Sequence, residues 1–327
     1  MRVYGTRGPG VRHVPAHAIQ WPDGKRFAFT VFDDTDRTDL ASGPDVYALL
    51  RDLGMRTTKS VWPIRGHGEA RVDGATCDDD AYLEWVRSLQ RDGFEIALHN
   101  VAPVSSPRGE VERGLETFRT RFGAYPNAHA NHATNRDALY WGASRLTGAH
   151  RWLYQRLIGR KRRDRDGGSN PSSEYFWGDL AKAHVTYVRN FVFRDIDTLE
   201  RCPNMPYHDR DRPYVNFWFA SSEGADRPSF CHTIREASQD RLEASGGACI
   251  MYTHFGVPNF RDGGRLHPRF VGLMTRLADK GGWFVPVSQL LDHLRTQNVD
   301  PVLAPDARSA LERRWLFEKL VLARGTS

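Results

Sequence analysis

The sequence predicts an α/β protein, and within that class an irregular (β/α) barrel. Three observations point there. Short strand-like segments alternate with amphipathic helical patterns through the chain in about eight units, as a barrel requires. The first strand-like segment is not followed by G-x-G-x-x-G, and no G-x-x-x-x-G-K-[ST] occurs, which removes the dinucleotide and P-loop forms of the open doubly wound sheet. The 327 residues are 40% hydrophobic, enough for one large core. The expected organisation is a single barrel domain over 1–300, with a helix in 301–327 packed on it.

The strand candidates, in order, are FAFTVF (27–32), TTKSVW (57–62), FEIAL (94–98), YPNAHA (125–130), YVRNFVF (187–193), YVNFWF (214–219), ACIMYT (248–253) and WFVPV (283–287). YPNAHA is placed by its spacing. YVNFWF alternates poorly, as a strand covered on both faces does. Between them, PDVYALLRDLG sets Val46, Leu49, Leu50 and Leu53 on one helical face and stops at Gly54. DDAYLEWVRSLQRDG repeats the stripe with Tyr82, Trp85, Val86 and Leu89. GEVERGLETFRTRFG does so with Val111, Leu115, Phe118 and Phe122. Further helix is expected through 136–158, 234–245, 268–280 and 288–296. Residues 150–230 exceed one barrel unit, so an elaborated loop region is expected there. The tail over 308–325 reads as a helix whose Leu311, Trp315, Leu316, Leu320 and Val321 form an apolar flank against the barrel; its basic residues would alternatively suit a membrane surface.

Composition narrows the function classes. No run approaches the ~18 apolar residues of a membrane helix, and MRVYGTRGPG lacks the apolar stretch of a secretory signal, so a cytoplasmic protein is expected. Cys77, Cys202, Cys231 and Cys249 are scattered without a C-x-x-C pair and read as reduced thiols. The net charge of +6 is modest, and much of it is local to GRKRRDRD (159–166). That run reads as a solvated loop or a patch for an anionic ligand, such as a phosphorylated substrate or an acidic membrane surface. No nucleic-acid recognition motif accompanies it, so nucleic acid is not an expected partner.

Polar residues cluster where a barrel puts its active face, at the C-terminal ends of the strands. FAFTVF runs into Asp33, Asp34 and Asp36. FEIAL runs into His99, NAHANHA supplies His129 and His132, and ACIMYT runs into His254. Any one of these has an ordinary explanation, as an Asx-turn, a helix cap or a surface imidazole. Delivered together to one rim, carboxylates and imidazoles are the mixed O/N set that zinc and similar divalent metals take.

At these residues the sequence resembles the polysaccharide deacetylase family, the NodB-homology, metal-dependent carbohydrate esterases on an irregular (β/α)7–8 barrel. FTVFDDTD is similar to the family's TFDD motif, GFEIALHN to its G-x-E-[IL]-x-x-H segment, and ACIMYTHFG to its late strand ending in a histidine. The resemblance spans about 25–290. It implies that Asp33 is the general base, Asp34 and His99 are metal ligands, and His254 is the general acid. Two departures stand out. The family's second histidine, four residues after the first, is Pro103 here, in HNVAP. The Arg-Pro-Tyr-like motif, whose arginine supports the base, is replaced by NAHANHATN. His132 is therefore expected to complete the site, with His129 as the alternate ligand or base support.

The resemblance implies a hydrolase acting on carbon–nitrogen bonds other than peptide bonds. It would remove an N-acyl group, most simply N-acetyl, from an amino sugar, with a divalent metal, expected to be zinc, as cofactor. Retention in the cytoplasm would favour a sugar nucleotide or lipid-linked sugar over finished polymer. Asp179 and Trp177, in EYFWGDL, and Ser222, in FASSEG, are further candidates for substrate contact. The alternatives are another metal-dependent amidase acting on a non-sugar amide, and a non-catalytic carbohydrate-binding protein.

Overall fold

In a computed structural model of the chain, residues 19–157, 165–298 and 301–322 are described. Most of the basic run at 159–166, the N-terminal residues 1–18 and the last residues of the tail lie outside them. Seven strands close a barrel: β1 (Ala28–Asp33), β2 (Thr58–Val61), β3 (Glu95–Leu98), β4 (Ala128–His129), β5 (Tyr187–Phe193), β6 (Phe217–Ser222) and β7 (Ala248–Thr253). Neighbours pair in parallel in sequence order, and β7 returns to β1 over six residue pairs, from Ala28–Ala248 to Asp33–Thr253. Parallel strands need crossover connections, and here most of them carry helices that cover the barrel.

The three helices with the clearest stripes form as the spacing predicts. They are α1 (Pro44–Asp52), α2 (Asp80–Arg91) and α3 (Arg108–Phe122). Asp79 caps α2 by accepting from the Tyr82 N–H, and Gly123, in the left-handed region, ends α3. After them come α4 (Gly148–Leu157), α5 (Gly178–His184), α6 (Thr198–Arg201), α7 (Arg227–Thr233), α8 (Glu236–Ser245), α9 (Pro268–Asp279), α10 (Val287–Gln297) and α11 (Pro305–Phe317). Helix α11 lies against α4 and β5, with the Trp315 ring 5.8 Å from Tyr154 and 5.1 Å from Phe191.

Two expectations about elements do not hold. The segment 283–287 is not an eighth barrel strand. Both edges of β1 are already taken by β2 and β7, so Trp283 makes only an isolated bridge to Ala28, and Pro286, which has no N–H to give a sheet, stands at the N-cap of α10. The helix expected through 136–158 is reduced to a 3-10 turn at Gly142–Arg145 and α4. The residues before them are committed elsewhere. Asp137 accepts from Asn100 Nδ2 and the Ser106 N–H, Leu139 bonds Asn131 through its N–H and its carbonyl, and Tyr140 sits at φ 47°.

Candidate metal centre

Strand alternation sorts the aspartates of FDDTD. The Phe32 ring lies 6.0 Å from Phe219 and carries Arg189 above it at 5.2 Å, inside the barrel. Asp33 therefore faces out, toward the helical layer. Its Oδ2 meets Lys59 Nζ at 3.1 Å and the Tyr47 hydroxyl at 3.0 Å, and its Oδ1 accepts the Phe255 N–H. All its contacts tie β1 to β2, α1 and the segment after β7. The expected general base is thus a buried tie outside the barrel, next in space to the residue that follows His254.

Asp34 faces in. Arg189, from β5, donates to both its oxygens, at 2.8 and 2.5 Å. Burial alone would raise the Asp34 carboxyl; Arg189, aided by His99 and His254, outweighs it and holds the group below the ordinary carboxylate value. The guanidinium also lies 4.5 Å over the Tyr252 ring. An arginine supporting an acidic residue is therefore present, supplied by β5.

Asp36, two residues on, completes the cluster. Its Oδ1 lies 3.2 Å from His99 Nε2 and 3.5 Å from His132 Nε2. These three atoms are buried, and none of them has a hydrogen-bond partner among the described residues. Their grouping matches a metal-binding arrangement of one carboxylate and two imidazoles. Three orphaned polar atoms converging in a protein interior are costly unless something cationic joins them. The other ring nitrogens are fixed: His99 Nδ1 donates to the Ala130 carbonyl at 3.0 Å, and His132 Nδ1 faces Asn135 Oδ1 at 3.0 Å. That leaves each Nε2 with a lone pair toward Asp36, the outer-shell arrangement of histidine ligands. Trp62 walls the pair, stacked on His99 and edge-on to His132.

The loop that carries Pro103 anchors His132. Asn135 Nδ2 donates to the carbonyls of Ala102 and Val104, on either side of Pro103, while its Oδ1 takes the His132 ring N–H. Asn100 Oδ1 accepts the His132 backbone N–H at 2.7 Å. Asn135→Leu leaves the His132 Nδ1 only Thr134 Oγ1, at 3.3 Å, and is expected to weaken divalent-metal affinity about 10- to 100-fold, read by competition with a chromogenic chelator beside a melting curve.

His254 completes the rim. Nδ1 donates to the Ala225 carbonyl at 2.9 Å, so Nε2 points inward, 3.5 Å from Asp36 Oδ2, 4.0 Å from Asp34 Oδ2 and 3.3 Å from the Tyr252 hydroxyl.

The other candidates lie elsewhere. His129 is buried edge-on to Trp177 with Nε2 on Asn131, away from the cluster. Burial pushes its pKa down to about 3. A histidine whose folded value falls below its unfolded value of about 6.5 destabilises as pH drops through that window, because only the unfolded chain takes the proton. His129→Gln should therefore lose about 2–3 kcal/mol less stability than the parent between pH ~6.5 and ~4.5, measured by urea unfolding. Trp177 is buried and bonded to the Asp137 carbonyl. Asp179 pairs with Arg108 on the surface of α5 and α3. Ser222 faces the helical layer, on Thr198, whereas its neighbour Ser221 has the unpartnered hydroxyl. The sequence reading left Asp36 without a role and missed Arg189 and Trp62. Asp36 lies in the turn just after β1, three residues beyond the strand's end, and Arg189 is the one charge in an otherwise uncharged strand.

Two solved structures share this architecture. A protein of Pseudomonas aeruginosa PAO1 described as a probable polysaccharide deacetylase superposes with a TM-score of 0.50 at 11% identity, over 88% of this chain and 96% of the other. PuuE allantoinase superposes with a TM-score of 0.50 at 11% identity, over 90% and 98%. The fold is that of the polysaccharide deacetylases. No family model and no curated protein matches the sequence. On this deacetylase-type barrel, the described cluster occupies the C-terminal rim of β1, β3, β4 and β7, the face on which such barrels place their chemistry.

Proposed function

We propose that the chain is a divalent-metal hydrolase that removes an N-acyl group, N-acetyl in the simplest case, from an amino sugar. The observation that carries this reading is the set of unpartnered atoms Asp36 Oδ1, His99 Nε2 and His132 Nε2 beside an ionised Asp34 and an inward-facing His254. Asp36, His99 and His132 would hold the ion, and one oxygen with two nitrogens suits zinc. When bound, a divalent ion there supplies Lewis acidity, activating water and polarising an amide carbonyl.

The chain's own residues supply the proton traffic. Asp34, oriented by the Arg189 fork and kept ionised by it, accepts a proton from the attacking water; each of its oxygens retains a lone pair beyond the Arg189 bond. As the water oxygen bonds to the acyl carbon and the C–N bond breaks, the leaving nitrogen takes a proton from His254 Nε2. The Nδ1 bond to Ala225 fixes that ring's orientation. Asp34 and His254 thus divide the roles of base and acid, and Asp33 positions the strand ends. Basic residues 160–163 favour a substrate carrying phosphate, such as a sugar nucleotide or lipid-linked sugar.

The likeness to an allantoinase equals the likeness to a deacetylase, so the assay covers both classes. Zinc-loaded protein is incubated with N-acetylated amino sugars and with cyclic amides. Acetate release that falls at least about 1,000-fold in Asp34→Asn supports the proposal. Ring opening without acetate release would transfer the reading to a cyclic amidase, and sugar binding without metal or turnover would leave a lectin-like protein.

A further inference from the structure

We infer that the outer faces of α4 and of the end of α11 form a docking surface for an anionic phospholipid bilayer. The large hydrophobic side chains exposed among the described residues are Leu40, Trp152, Leu157, Phe317, Leu320 and Val321. All but Leu40 lie on α4, on the last residue of α11, or on the π-helical turn Glu318–Leu322 that continues it. Trp152 and Phe317 are 63% and 60% exposed, although each helix has a buried stripe of its own: Tyr154 on α4, and Leu311, Trp315 and Leu316 on α11. The inner stripes account for packing, and the outer aromatics have no such use. Exposed apolar side chains gathered on adjoining helices mark an interaction surface.

Charge selects the partner. Helix α4, GAHRWLYQRL, has no acidic residue, and its Arg151 and Arg156 are exposed with no ion-pair or hydrogen-bond partner among the described residues. Arg313, exposed on α11 one turn before Phe317, is likewise unpaired. The acidic groups nearby are occupied: Glu312 is buried on Thr147 and His150, and Glu318 accepts the Arg194 N–H. In the sequence, residues 160–163, all basic, follow α4 and lie outside the described residues. Tryptophan, phenylalanine and leucine with arginine alongside are the composition of a helix lying in the headgroup layer of an acidic membrane. No helix of the described residues is long and apolar enough to cross one, so the contact is interfacial. The inference stands independently of the hydrolase reading.

The test is co-sedimentation of the full chain with vesicles of phosphatidylglycerol and phosphatidylcholine, beside vesicles of phosphatidylcholine alone, without substrate or added metal. Binding is expected to the anionic vesicles only and to weaken as salt rises. It should fall about tenfold in Trp152→Ser and in Phe317→Ser, and be unchanged in Leu40→Ser, the exposed apolar control. All three sites are on the surface, and thermal melting checks that each variant folds. Recovery of the parent in the supernatant at low salt would overturn the inference, as would binding indifferent to Trp152 and Phe317. A concentration-dependent dimer broken by either substitution, seen by light scattering, would also overturn it, since the occupant would then be a second copy of the chain.

Discussion

Asp36→Asn loses its divalent ion and its hydrolytic turnover together, whereas Asp33→Asn retains the ion. The substitution at Asp36 exchanges a charged oxygen for a neutral amide at the point where His99 and His132 meet it, 3.2 and 3.5 Å away. A divalent cation facing two neutral imidazoles needs that charge, so affinity is expected to fall by at least about 100-fold, beyond the range of an outer-shell change. At Asp33 the same substitution leaves Lys59 buried without its counter-charge. The cost there is stability, about 3–5 kcal/mol, by removal of one member of a buried pair. Metal content after dialysis, with a melting curve for each protein, separates the two outcomes. The sequence alone gives Asp33 the role of general base and gives Asp36 none.

Arg189→Met is the second large effect. It leaves the Asp34 carboxylate inside the barrel without either of its guanidinium bonds, and the expected loss is again about 3–5 kcal/mol at neutral pH. The pH dependence carries a sign. In the parent, the folded Asp34 value lies below the unfolded value of 3.8, so its stabilisation is present above 3.8 and disappears as pH falls through the lower, folded value. Without Arg189 the largest lowering cause is gone, and burial is expected to shift the folded value upward. The variant's deficit against the parent should therefore shrink as the solution is acidified. Turnover at neutral pH should fall with it, because Asp34 is no longer held by the guanidinium fork in the position from which it accepts a proton from water. Arg189→Met combined with Asp34→Asn should recover most of the stability and none of the turnover, since the stranded charge is gone but the base is too.

How far the sequence could be read depended on whether a feature was set by local pattern or by distant contact. The stripes of α1, α2 and α3, the short apolar strands and the histidines closing β3 and β7 are local, and they were legible. So was a histidine of the NAHANHA segment lying beside His99, because that segment gained histidines where the motif lost one. The orientation of Asp33 was not legible from the motif, although strand alternation from Phe32 contains it. Arg189 was invisible as a partner of Asp34 because 155 residues separate them and only barrel closure brings β5 across from β1. Trp283 read as a strand because its neighbours are apolar and aromatic; what denied it a place was that β1 had no free edge. Ser222 and Ser221 differ by one position, and one position decides which face of a strand a side chain takes.

Hydrolysis as proposed requires Asp36, His99 and His132 to share one divalent cation. Elemental analysis of the exhaustively dialysed protein, parent beside His132→Ala, tests this most directly. One tightly held divalent ion per chain in the parent and almost none in His132→Ala is the predicted result. Equal metal content in the two, or none in the parent even after incubation with zinc, would contradict it.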